Sequence, residues 1–367
     1  MHSSPRLLSI GLLLFALLTA GAQTSAPAFP ALSKQAQTAR DAHDLPKAFD
    51  LYQKALKLKP AWEDGLWNLG SIAYDLDRYR DCSAAFQKLT EIKPDGAPGW
   101  TMLGLCEYRQ RNYGTALDAL TRVEQLGFSE TPELANAAKL HYALLLAKTG
   151  TFEKAITVLT DLTRTDKKTP EIAAAAGIAG LRRPWLPFEV PESEREMVYR
   201  LGDAMTTAME LDYKGANQKF EDLLKAYPNE PNVHFRYGAL LYIQDADRGI
   251  DEMKKAIALA PDHVPALVSL SAISLKREDN KAALEYGERA VKASPGDFST
   301  HIVLGRALLA SEDPARAAAE LEQALKLAPA VPEAHFSLAT AYSRLGRKQD
   351  AAREQAEFKR LEQLGAK

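Results

Sequence analysis

The feature that most constrains this chain is a recurrence of proline at the ends of apolar stretches. Pro60 and Pro94 stand 34 residues apart, and Pro228, Pro261, Pro295 and Pro329 follow one another at steps of 33, 34 and 34. The register extends inward from each proline. Twelve residues before it stand Ala48, Cys82, Ala216, Gly249, Ala283 and Ala317; eight before, Tyr52, Phe86, Phe220, Met253, Gly287 and Leu321; five before, Ala55, Leu89, Leu223, Ala256, Ala290 and Ala324. A period of this length is the mark of an array of helical hairpins. A small residue lets two antiparallel helices approach. The larger residue fills the gap to the next hairpin. Proline lacks an N–H and ends the second helix. No hairpin of this kind buries its apolar face alone, so the core exists only between stacked copies.

The pattern resembles that of the tetratricopeptide repeat family, W-x2-L-G-x2-Y, then A-x3-F, then P. Trp100, Leu103 and Gly104 match the opening, with Ala116 and Leu120 in the second helix and Tyr108 one place late. Leu69, Gly70, Phe86 and Pro94 match, with Trp67 one place off. Leu304, Gly305, Ala317, Leu321, Ala324 and Pro329 match, and the last copy keeps Leu338, Tyr342 and Ala351. Ala155 and Leu159 mark a weaker copy with no closing proline. The resemblance implies an all-α chain, a right-handed α-solenoid of antiparallel hairpins stacked into a superhelix.

A break interrupts the period. Thr169–Leu181 reads as one Ala-rich helix opened by Pro170, and Pro184, Pro187 and Pro191 forbid its continuation. Ser193 with Glu196 three residues on reads as a capping box for the next helix. Trp185, Leu186, Phe188 and Val190 are costly to leave in water, so this segment is expected to dock on the flanking hairpins. The expected organisation is an N-terminal array over residues 31–168, a helix and Pro-rich elbow over 169–191, and a C-terminal array over 192–364.

Before the arrays, Arg6 precedes an apolar run from Leu7 to Leu18, and Ala20-Gly21-Ala22 follows. That is the layout of a cleavable secretory leader over residues 1–22, with a cut after Ala22 and a short flexible lead-in over 23–30. The apolar run is shorter than the roughly 20 residues of a membrane span. The expectation is an exported chain, periplasmic or secreted.

The rest of the composition removes function classes. Lys plus Arg number 46 against 48 Asp plus Glu, which leaves no basic footprint for nucleic acid. Two cysteines cannot build a disulfide framework or a zinc site. Cys82 and Cys106 fall on neighbouring helices, where either a disulfide or two small core residues is conceivable. His234, His301 and His335 recur near one repeat position, and with no carboxylate forced beside them they read as packing residues. No nucleophile elbow, HExxH pair or phosphate-binding loop is present. The chain is therefore expected to have no catalysis, no cofactor and no metal.

In proteins similar to this one, first helices line a concave face that binds peptides or a partner helix. That face maps to Trp67, Ser71, Tyr74, Tyr108 and Arg109, and to Phe235, Tyr242, Val268, Leu275, Lys276, Ile302, Arg306, Leu309, Phe336 and Arg344. Aromatics and Arg are the residue types of interface hot spots. The functional expectation is a scaffold or adaptor for other proteins, working in an envelope assembly, secretion or polymer-export system. The alternative is a self-associating structural subunit or a regulatory partner of an envelope enzyme.

Overall fold

In the computed structural model the described residues are 28–165 and 168–365. The expected leader and its cleavage site lie outside them. The described residues hold nineteen α-helices and one 3-10 turn, with no strand among them. They divide into two compact units at Pro94, one up to that residue and one from Asp95 on.

In the first unit α1 (Phe29–Asp41) pairs with α2 (Leu45–Leu58), and α3 (Glu63–Asp75) with α4 (Tyr79–Ile92). In the second, α5 (Ala97–Arg109) pairs with α6 (Tyr113–Leu126) and α7 (Pro132–Lys148) with α8 (Phe152–Thr165). A single helix, α9 (Pro170–Gly180), follows. Then come α10 (Glu192–Met209) with α11 (Tyr213–Ala226), α12 (Pro231–Gln244) with α13 (Ala246–Leu259), and α14 (Val264–Lys276) with α15 (Asn280–Ala293). The chain closes with α16 (Phe298–Ala310) on α17 (Pro314–Leu327) and α18 (Pro332–Arg344) on α19 (Lys348–Gly365). Within each unit every hairpin packs on the next, the architecture of an α-solenoid. No described helix is long and apolar enough to cross a membrane.

The repeat register does the packing expected of it. Ala48, Cys82, Ala216, Ala283 and Ala317 are wholly buried, as are Tyr52, Phe86 and Leu321 eight residues before their prolines. On α3, α5 and α16 a glycine receives the large residue of the partner helix. A Cβ added at Gly70 would stand 2.5 Å from the Phe86 ring, and one at Gly305 2.6 Å from Leu321. Cys106 is wholly buried on α5.

Four of the hairpin turns share a device that the period does not reveal. His43, Leu211, Glu278 and Glu312 take positive φ angles of 56°, 66°, 61° and 63°. Each is followed by an aspartate that caps the second helix: Asp44, Asp212, Asp279 and Asp313 accept from backbone N–H groups three residues on. One left-handed residue reverses the chain, and the aspartate satisfies an amide left over at the helix start.

The three recurrent histidines tie repeats together. Nδ1 of His234, His301 and His335 lies 2.6, 2.7 and 2.8 Å from a carboxylate oxygen of Glu252, Glu320 and Glu354. Nε2 of each lies 2.9 Å from the carbonyl of Pro228, Pro295 and Pro329. The sequence reading placed no carboxylate beside these rings; each has one, supplied by the second helix of its own hairpin. Each ring thus joins the end of one repeat to both helices of the next. A ring between two acceptors satisfies both only when both nitrogens carry protons. The Glu252 carboxylate raises His234 above its ordinary 6.5, against an opposing effect of burial; Lys255, which pairs with Glu252, also opposes it. A raised folded value means the stabilisation is complete below the unfolded pKa and is lost as pH climbs through the folded one. The wild-type chain should therefore exceed His234→Gln in urea midpoint near pH 6.5, with the gap narrowing as pH rises. A gap that stays constant across that range would refute the assignment.

The break docks, as its apolar residues demand. Residues Ile172 to Gly180 of α9 are buried throughout. Leu186 and Val190 are buried, while Phe188 stays exposed beneath the Arg111 guanidinium, 5.5 Å from its ring. One continuous core runs from Ala116 on α6 to Leu241 on α12 and includes Leu181, Leu186 and Val190. The break thus lies inside the second unit and joins its flanks through shared packing. Capping there differs from expectation. Helix α10 starts at Glu192 with no side-chain cap, so Ser193 already lies within its first turn. The reversal is held instead by Glu189, whose carboxylate accepts from the Leu186 N–H at 2.7 Å and from Lys148 Nζ at 2.7 and 2.9 Å. Burial raises the Glu189 carboxyl, but the contacts to Lys148 and Leu186 outweigh it and hold it below the ordinary carboxylate range.

Candidate binding groove

A groove opens between the helices on either side of the break. With α9 inserted, α8 forms one wall through Ile156, Thr160 and Arg164, and α12 forms the other through Arg236, Ala239, Leu240 and Ile243. The floor comes from Met205, Ala208 and Met209 on α10, the turn residue Leu211, and Tyr213 and Phe220 on α11. The cavity measures about 440 Å³ and opens to solvent. Its apolar surface continues at the rim, where Leu211 is 71% and Ile243 70% exposed. The floor is packed from beneath: Phe220 is buried and stacks on Tyr237 at 5.2 Å, with the two planes 13° apart.

Charge closes one end. Arg236, buried on α12, grips Glu153 of α8 through two hydrogen bonds of 2.8 and 2.9 Å. Arg182, just past α9, donates to the same carboxylate at 2.7 Å. Burial alone would raise the Glu153 carboxyl, but Arg236 and then Arg182 outweigh it and hold it below the usual range. These groups bridge α8, the break and α12, and fix the width of the groove. At the other end Arg164 is exposed, and no hydrogen bond or ion pair engages it among the described residues.

None of the residues lining this groove stands among those that the sequence pointed to. In the first unit Trp67 is half-buried edge-on to Phe86, 5.4 Å away, and Tyr74 likewise to Tyr79 at 5.6 Å. In the second unit Tyr108 is wedged between Tyr113 and His141, and burial pushes its hydroxyl up to about 12; Arg109 is exposed. Phe235 and Ile302 do not reach the surface. Each belongs to a core between first and second helices, because the following hairpin covers this repeat position. Phe336 holds the equivalent place on α18 and is 55% exposed against Phe358. Tyr242 and Leu275 are half-buried, Lys276 and Arg306 are exposed, and Arg344 donates to the Leu309 carbonyl at 2.6 Å. No group of three or more His, Cys, Asp or Glu side chains gathers as a metal site among the described residues.

Two family profiles match. The Tetratricopeptide repeat profile covers residues 67–129 and 101–170, and that of the Cilia and flagella-associated protein 70 middle TPR-like domain covers 204–362. Over these stretches the chain is similar to tetratricopeptide repeats. Their profiles leave out most of the α9 break, where the array departs from its period. Among characterised proteins, the Protein CTR9 homolog of Arabidopsis thaliana is 23% identical over 289 residues, which is 77% of this chain. The chain spans about a quarter of that relative's length, the match covering 24% of it. Among solved structures, MamA 41-end from Desulfovibrio magneticus RS-1 aligns over 47% of this chain and 97% of its own, with 21% identity and a TM-score of 0.41. A second MamA crystal structure aligns over 44% and 96%, with 20% identity and a TM-score of 0.40.

Proposed function

We propose that this chain is an exported scaffold whose tetratricopeptide repeats dock segments of other proteins. The observation that carries the reading is the groove between α8 and α12, an open apolar cavity of about 440 Å³ filled by no described part of the chain. Exposed apolar surface with a polar border is the usual mark of a partner site. A photo-crosslinking residue placed at Ile243 in the native host should yield adducts of discrete mass. The same residue at Lys281, on α15 outside the groove, should not. Equal labelling from both positions would count against the groove as a docking site.

Export is supported by the leader pattern of Met1–Ala22. The mature protein should begin at Gln23 when its N-terminus is sequenced; a stable product that retains Met1 would sink this part of the proposal. An exported scaffold without catalytic motifs suits an envelope assembly, secretion or polymer-export system. One observation favours a second reading, self-association through the last hairpin. Phe336, with Phe358 beside it, occupies a position that the next repeat covers elsewhere. Light scattering that finds a monomer up to high concentration would dismiss that reading.

A further inference from the structure

We infer that the groove between α8 and α12 takes an amphipathic helical segment of a partner protein that carries a carboxylate beside its apolar row. The inference rests on the scaffold reading and names the chemistry of the partner.

Charge complementarity carries it. The thirteen lining residues include two arginines, Arg164 and Arg236, and no carboxylate. Arg236 is already matched by Glu153, whose carboxylate also accepts from Arg182. Arg164 at the other end has no partner among the described residues. The groove therefore offers an exposed guanidinium at the Arg164 end and an apolar middle. A guanidinium beside apolar surface favours a carboxylate that it can hold through two parallel hydrogen bonds.

Shape selects the class of molecule. Ile156 and Arg164 lie two helical turns apart, roughly 12 Å along α8. That spacing matches apolar anchors at i and i+4 followed by an acidic residue near i+7 on a docked helix. Met205 and Met209 on the floor adjust to differing anchor side chains. A small amphiphile such as a fatty acid would be enclosed over most of its surface. Here the cavity is open, and the apolar surface spreads outward over Leu211 and Ile243, as a longer rod requires.

The test uses the mature full chain as bait for a displayed library of random 18-residue peptides, with anisotropy on the labelled winners. Enriched peptides should combine Leu, Phe or Met at helical spacing with Asp or Glu. Ile243→Asp, at an exposed position that leaves the fold intact by circular dichroism, should weaken them at least about tenfold. Arg164→Glu should weaken them by about the same factor, and a peptide with its acidic residue changed to Lys should recover binding to that variant. Winners that respond to Ile243→Asp but show no acidic bias and ignore Arg164→Glu would overturn the inference and leave the scaffold reading intact. A library with no winner sensitive to Ile243→Asp would overturn both. Dodecanoate binding at the groove in place of any peptide would assign it to a small amphiphile and overturn the inference.

Discussion

Gly202→Ala should destabilise the second unit by about 3 kcal/mol or more, the upper range for overpacking. At this point α9 and α10 cross with their backbones in contact. A Cβ on Gly202 would stand 1.8 Å from the Ala173 carbonyl oxygen, and one on Gly177 1.9 Å from that of Val198. Both obstacles are backbone, so no rotamer change relieves them. The helices would have to separate, and the core from Ala116 to Leu241 would open with them. Gly114→Ala is the internal control. It lies in the first turn of α6, with nothing within 4 Å of an added Cβ, and should be neutral or stabilising by a few tenths of a kcal/mol. Urea denaturation followed by circular dichroism compares the two. Equal midpoints for Gly202→Ala and Gly114→Ala would show that the helices do not cross as described.

The second large effect is expected at Glu153. Its removal leaves the Arg236 guanidinium buried, with a 3.4 Å contact to the Gly180 carbonyl and the Phe235 ring 4.9 Å away. Breaking a wholly buried pair costs about 3–5 kcal/mol. The Glu153 side chain is 57% exposed, however, so solvent screens part of the interaction. Glu153→Ala should thus cost about 2–3 kcal/mol. Adding Arg236→Met removes the stranded charge and should recover part of the loss, which a double-mutant cycle measures. The pH dependence has a definite sign. A carboxylate held below its ordinary 4.5 contributes above that pH and loses its contribution as pH falls through the folded value. The difference between wild type and Glu153→Ala should accordingly be flat at neutral pH and shrink only in acid. If the double variant is as unstable as the sum of the singles, the pair is not coupled.

The contrast between the repeats and the groove explains how much could be read beforehand. Ala48, Phe86, Ala216 and Leu321 answer to a local rule repeated along the chain, so their spacing alone announces their burial. Phe235, Ile302 and Phe336 share one repeat position, yet two are covered and one is exposed. What covers the first two is the hairpin packed against them, which no local pattern reports. The histidines show the same limit. Their recurrence was visible, but the glutamates that hold them stand 18 or 19 residues away on another helix. Leu211 reads as an ordinary apolar residue between helices. Its positive φ and its place at the groove rim follow from the turn it must make.

By itself the sequence determined the all-helical repeat architecture, the register of small and large core residues, the break at three prolines and its tendency to dock. Those properties depend on period, side-chain volume and the missing proline N–H, each of which acts within one hairpin or between neighbours. Tertiary structure alone decided that α8 and α12 face each other across an apolar groove, that Arg236 and Arg182 share Glu153, and that Arg164 stands open at its end. The reason is the insertion of α9, crossed tightly on α10 through Gly177 and Gly202. It shifts the walls of the array by an amount that only the packed helices define.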